Sequence, residues 1–230
     1  MRAIAINIGA NTNEPGFRGP VSPDGSFEYI PIPESEPTTE TVPTYGDLAA
    51  HLETPIPDSL VETPVHLDPE FPEYPYCERY SYGDEHGVKA GPLSALSAGD
   101  YVFFYATLTV TAPADWLPPE WGVFLVGQFR LDRDPVVPTE ATVPEDCFAN
   151  NAHCKREPMD ARVLLAGDPA ASRLYDRVRP LSSPAGGTDP NGVVTDLSAD
   201  SGRGPWWRRP LRFGAAETET LLGIDAREQP

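Results

Sequence analysis

Two stretches of this chain are apolar at nearly every position, in a sequence otherwise broken by proline. Residues 101–111 read YVFFYATLTVT and residues 121–131 read WGVFLVGQFRL. Runs of aromatic and β-branched residues without alternation predict strands buried on both faces. Residues 2–8 alternate and are rich in Ile and Ala, which predicts a buried first strand. Shorter strands are expected at 162–166, 173–181 and 193–197. Pro23-Asp24-Gly25 predicts a turn, because Pro presets φ and Gly accepts a positive φ. It would join a hairpin whose second strand, 26–32, is confined to an edge by Pro31 and Pro33. A short helix is expected over 45–52 with Thr44 as its N-cap, and another over 215–222 stopped by Gly223. Residues 34–43 read as an acidic surface loop and 55–75 as irregular chain. No repeat is visible. The pattern predicts one α+β domain over residues 1–230, with a mixed, mainly antiparallel sheet, short helices and long Pro-rich loops.

Composition narrows the setting. The 230 residues include 28 Pro and three Cys. Cys77, Cys147 and Cys154 are an odd set without a CxxC pair, which argues against a disulfide framework or a structural zinc site. No apolar run approaches the roughly 20 residues of a membrane helix. The N-terminal stretch lacks the long apolar segment of a signal peptide, so a cytoplasmic protein without a membrane partner is expected.

The net charge is −18, and only two of the 17 basic residues are Lys. An acidic surface ordinarily opposes nucleic-acid binding. Acidity with scarce Lys and retained Arg is, however, the pattern of salt-in halophiles such as haloarchaea. At molar salt the Debye length falls to about 3 Å, so the repulsion is screened. The charge is also uneven: residues 135–214 hold ten acids and ten bases, whereas residues 1–134 are strongly acidic. The Arg-rich third is the part expected to meet an anion.

Four segments carry candidate chemistry. Residues 74–86 (YPYCERYSYGDEH) combine four Tyr with Glu78, Arg79 and His86, as a base-binding pocket requires; stacking contributes about 1–3 kcal/mol per base. Residues 150–156 bring together Asn151, His153, Cys154, Lys155 and Arg156. Here His153 is a candidate base or phosphate ligand, and the two cations are candidate anion holders. Asn11 and Arg18 lie on loops after the first strand. Arg203 and Trp207 lie in a Gly-rich segment suited to stacking and phosphate contact. The expected catalytic residues are His153, His86 and Glu78. The expected binding residues are Asn11, Arg18, Arg79, Tyr82, Tyr105, Asn151, Lys155, Arg156, Arg203 and Trp207. No metal is expected, because the Cys147, His153, Cys154 spacing is not a metal pattern. No dinucleotide, Walker, nucleophile-elbow or deaminase motif is present, so no cofactor is specified.

Gly99-Asp100, Val102-Phe103-Phe104-Tyr105 and Gly122-Val123-Phe124-Leu125-Val126-Gly127 resemble the Gly-Asp turn and strand pair of PUA-like and EVE-like barrels. A wider resemblance runs through the chain. The FRGPVSPDGSFEYIPIPE segment (17–34), the GDYVFFY strand, Asn151-Ala152-His153 and the segment from Ser201 to Leu211 are similar to the nucleotide-modification-associated domain family, third type. Where that family carries a Ser-Arg-Lys-Gly-like stretch after the first strand, this chain reads Asn7-Ile8-Gly9-Ala10-Asn11. The resemblance implies a PUA-like core and a nucleotide or nucleic-acid partner. It also implies a role in modifying or recognising a base in DNA; the alternative is a non-enzymatic binding module of a defence or restriction system. It leaves the reaction and the oligomeric state open.

Overall fold

The computed structural model describes residues 1–139 and 146–223. In chain order the elements are β1 (Ala3–Asn7), β2 (Pro20–Val21), β3 (Ile32–Pro33), α1 (Tyr45–Ala49), β4 (Val65–His66), β5 (Ser81–Asp84), α2 (Gly87–Ser94), β6 (Tyr101–Val110), β7 (Trp121–Arg130), α3 (Ala152–Lys155), β8 (Val163–Ala166), β9 (Arg173–Pro180), β10 (Ser182–Ser183), β11 (Gly186–Pro190), β12 (Leu211–Phe213) and α4 (Ala215–Gly223). Among the described residues no helix is long and apolar enough to cross a membrane. The chain folds as two compact units, each assembled from separated stretches. The first holds Met1–Ile30, Asp100–Gln128 and Tyr175–Pro230; the second holds Pro31–Gly99 and Phe129–Leu174.

The first unit is built on a sheet of order β12-β1-β6-β7-β9, with β2 also paired to β6. This is an open path, with no barrel closure among the described residues. β1 lies parallel to β6 and antiparallel to β12. Its small residues explain the fit. Ala3 and Ala5 sit in register with Tyr101 and Phe103, so small side chains leave room for rings on the same face. Those residues, with Tyr105, Val123, Leu125, Trp206, Leu211, Phe213 and Leu221, form one buried cluster. Trp206 is fully buried, and its indole N–H donates to the Thr188 carbonyl at 2.8 Å. The Pro23-Asp24-Gly25 turn forms as expected: Gly25 has φ +87°, and Asp24 accepts from the Ser26 N–H at 3.0 Å. The strand expected after it does not run continuously. Phe27 makes one bridge to Val21.

Residues 193–197 are a correction. They form a π-helical turn rather than a strand. The Asn191 side chain accepts from the Val193 N–H at 3.0 Å, and the Ser198 N–H reaches the Val193 carbonyl at 3.0 Å. A local cap and a turn satisfy the backbone here, overriding the β-preference of Val193-Val194-Thr195.

The second unit contains two small antiparallel ribbons, β3–β4 and β5–β8. Helix α1 begins as the sequence predicts: Thr44 and Asp47 form a reciprocal capping box. The Tyr45 hydroxyl donates to the Pro31 carbonyl at 2.7 Å. Phe148, Ala161, Leu164 and Ala166 make a small apolar cluster. Residues 74–86, read from sequence as one loop, contain β5. Helix α2 is unexpected from its composition, because Gly87, Gly91 and Pro92 are poor helix formers. The α+β class and a mixed sheet with few short helices agree with the sequence reading.

Candidate functional site

The second unit gathers its polar residues into one buried cluster. Pairing of Ile32 with His66 across β3–β4 brings Glu34, just past β3, beside the His66 ring. Glu34 Oε2 lies 2.7 Å from His66 Nδ1. Asp68 follows two residues later, and the backbone N–H of Gly83 on β5 donates to its carboxylate at 3.0 and 3.2 Å. Asn151 caps α3. Its side-chain oxygen accepts from the His153 N–H at 3.1 Å, and its Nδ2 donates to Asp68 at 2.7 Å. Gly83 is needed for space: a Cβ there would stand 2.7 Å from His153 Cδ2 and 2.9 Å from Asn151 Oδ1.

Arg156 ties the cluster together. Its Nε and Nη2 contact Glu34 at 3.0 and 2.9 Å. Its Nη1 donates to Glu85 at 3.0 Å and to Asp160 at 2.6 Å, while Nη2 lies 3.3 Å from His66 Nδ1. His153 Nδ1 is 2.7 Å from Asp160, and His153 Nε2 is 3.7 Å from Asp68. The His66 and His153 rings meet edge to face, with centroids 4.7 Å apart. Asp68, His66, His153 and Arg156 are all buried.

Burial and pairing set the protonation of these groups in opposite directions. Burial raises Asp68 to about 7, against the His153 charge and the bonds from Gly83 and Asn151. Burial would raise Glu34 too, but hydrogen bonds from His66 and Arg156 outweigh it and bring it to about 2. Burial lowers His66 despite its Glu34 partner. In His153 the burial effect is overcome by Asp160 and by the Asp68 charge, and its value rises. Asp160 is lowered: His153, Glu85 and Arg156 outweigh its burial. The hydrogen bond with Asp160, then burial, raises Glu85.

Two sets of side chains among the described residues could hold a cation. They are His66, Asp68 and His153, and Glu85, His153 and Asp160; in each set the ligand atoms lie within 4.8 Å of one another. Neither contains a thiol. Burial pushes both Cys77 and Cys154 up to about 12, so their thiolates are disfavoured.

Of the sequence candidates, Asn151, His153 and Arg156 meet in this cluster. Tyr82 is buried nearby, with its hydroxyl on Asp84 at 2.7 Å. Lys155 turns to Asn150 at 2.5 Å and to Glu40 at 3.6 Å. His86 is exposed and 3.3 Å from Glu85. Glu78 and Arg79 are exposed and line a separate cleft of about 580 Å³ with Tyr80, Asp132, Arg133, Cys147 and Gly167. Asn11, Arg18, Tyr105, Arg203 and Trp207 belong to the first unit. There Asn11 accepts from the Asn13 N–H at 2.8 Å. The Arg18 guanidinium stacks 4.4 Å from the Trp121 ring, and Trp207 packs against Trp121 and Trp206. Tyr105 is fully buried and donates to the Arg209 carbonyl at 2.7 Å, while Arg203 is exposed.

Sequence reasoning passed over His66, Asp68 and Asp160 as functional residues, and took in Glu85 only as part of the 74–86 segment. The signal was present in VHLDPEF (65–71), where His, Asp and Glu recur at every second position inside an apolar stretch.

No curated protein and no solved structure matches the chain. The family model described as nucleotide modification associated domain 3 matches residues 2–223. That span takes in every residue of the buried cluster and nearly all of the chain. The protein therefore belongs to the nucleotide modification associated domain 3 family.

Proposed function

We propose that the protein modifies a base, in a nucleotide or in DNA, and that the cluster around Arg156 is its reacting centre. The observation that carries this reading is the convergence of Glu34, His66, Asp68, His153, Arg156 and Asp160 into one buried network. Burying charge is costly, and apolar replacements of buried ion pairs are often as stable or more so. A fold that keeps seven ionisable side chains together, counting Glu85, has a reason other than stability, and such clusters concentrate at functional sites. His153, oriented by Asp160, is placed to move a proton or to hold a ligand. The family supports the nucleotide context. Its description associates it with nucleotide modification, and the cytoplasm is the expected place of work.

The cleft lined by Glu78, Arg79, Tyr80 and Arg133 favours a second reading, a non-enzymatic reader of a modified base. Its volume of about 580 Å³ falls in the range of small-ligand pockets, about 300–1,000 Å³. In the first unit, Arg18, Trp121 and Trp207 offer a cationic and aromatic face suited to phosphate and base. Mass spectrometry of nucleosides from cells with and without the gene separates the readings. The enzyme predicts a nucleoside that appears or disappears; an unchanged profile removes it and leaves the reader. Nucleotide binding at molar salt should weaken in His153→Ala and Arg156→Ala. Equal affinity in both variants and in the wild type would sink the assigned site.

A further inference from the structure

The two histidines of the cluster share one arrangement. Each has its Nδ1 held by a carboxylate at 2.7 Å, His66 by Glu34 and His153 by Asp160. Metal-binding imidazoles are held in this way, because a carboxylate on one ring nitrogen fixes the tautomer and makes the other a better donor. The nitrogen left on His153, Nε2, points toward Asp68 at 3.7 Å. The His66 side chain, with Nδ1 held by Glu34, is only 6% exposed. The carboxylate of Asp68 is itself fixed by Gly83 and Asn151. One ring nitrogen of each histidine and one Asp68 oxygen lie within 4.8 Å of one another.

Charge points the same way. Glu34, Glu85 and Asp160 crowd around one permanent cation, Arg156, and Asp68 lies against His153. A second positive charge at the donors would balance the cluster better than Arg156 does alone.

We propose that His66, Asp68 and His153 bind one divalent first-row transition-metal ion in a two-imidazole, one-carboxylate site. Nitrogen and oxygen donors of intermediate softness, with no sulfur, suit this class of ion. Glu34 and Asp160 are positioning residues, which act through the imidazoles. The set Glu85, His153 and Asp160 is the weaker one, because Asp160 is already bonded to His153 and Arg156. The role of the ion rests on the cluster's being the reacting centre, but its binding is measurable with no nucleotide present.

The test uses the whole chain, free of any histidine tag and stripped with a chelator, at molar salt. Co²⁺ is the probe, read by its visible absorption, with Zn²⁺ as competitor. One Co²⁺ per chain is expected, displaced by Zn²⁺, with a rise in the thermal midpoint of the wild type. His66→Ala and Asp68→Asn should lose binding. Glu34→Gln should weaken it by about 10–100-fold, as carboxylates behind a ligating imidazole do elsewhere. Glu85→Gln, Cys147→Ser and Cys154→Ser should bind as the wild type does. Folding of each variant is checked by circular dichroism, and the wild-type thermal shift stands even where a variant does not fold. A folded wild type that takes up no Co²⁺ or Zn²⁺ overturns the proposal. So does binding retained in His66→Ala but lost in Glu85→Gln. One bound ion with an unchanged cellular nucleoside profile keeps the metal site and removes the reaction. A changed profile with no ion bound does the reverse.

Discussion

In the first unit, Trp206, Tyr105, Phe103 and Phe124 are among the largest buried side chains, and the sheet holds them by apolar packing. The second also buries large rings, Tyr45, Phe71, Phe129 and Phe148, but an arginine, two histidines and several carboxylates share its buried space. The first arrangement should suffer most from loss of volume. The second is exposed, in addition, to loss of charge balance.

The sharpest way to break that contrast is a matched pair of substitutions. Trp206→Ala should cost about 3–5 kcal/mol through the cavity it leaves. Arg156→Met, nearly matched in size, should cost a similar amount, about 3–5 kcal/mol, by leaving buried carboxylates without a partner. The two differ in what rescues them. Adding Glu34→Gln to Arg156→Met should recover about 0.5–3 kcal/mol as a coupling energy and leave Trp206→Ala unimproved. Denaturant unfolding at fixed molar salt reads both. If Arg156→Met unfolds no more easily than the wild type, the second unit does not depend on charge balance.

A smaller effect tests whether polar contacts matter in the first unit. Tyr105→Phe keeps the ring and strips the bond to the Arg209 carbonyl, for an expected loss of about 1–2 kcal/mol. Smaller again, Thr44→Ala removes the capping box of α1 and should cost about 1 kcal/mol. An effect near zero would show that α1 is held by the burial of Tyr45 and Leu48 alone. The least effect is one of pH. Burial would raise Asp200, but its bonds from Arg209, at 2.6 and 3.1 Å, hold it below the ordinary value of 3.8. Its contribution is present above that value and disappears as pH falls through the lowered one. The pair is partly exposed, so less than about 1 kcal/mol is at stake. Asp200→Asn should flatten the acid limb of the wild-type stability curve by that amount; an unchanged limb would show that the pair adds nothing.

Much of the sheet was legible in the sequence. β6 and β7 are long, and their neighbours on both faces demand apolar side chains, so composition alone marks them. The Thr44 cap and the Pro23-Asp24-Gly25 turn are local devices, written in four or five residues. What escaped notice depends on distant partners. The pairing of Arg156 with Glu34 spans 122 positions, and His66 sits on a two-residue ribbon too short to show a period. Val193 to Leu197 misled for the opposite reason: a local cap outweighed a β-branched run. Asn151, His153 and Arg156 could be singled out because they crowd into one segment. Asp68 and Asp160 stand apart from it and look like ordinary surface acids in a chain that has many.

The interleaving of the two units bears on how the protein is made. A ribosome releases the chain from its N-terminus, and β1 emerges early. Its neighbour β6 begins about a hundred residues later, and its other neighbour, β12, lies at Leu211–Phe213. The second unit has all its residues once Leu174 is out. The polar cluster can therefore assemble while the first strand synthesised still waits for β12, one of its two partners, and a nascent chain whose Leu174 has cleared the ribosome should already hold Arg156 in place.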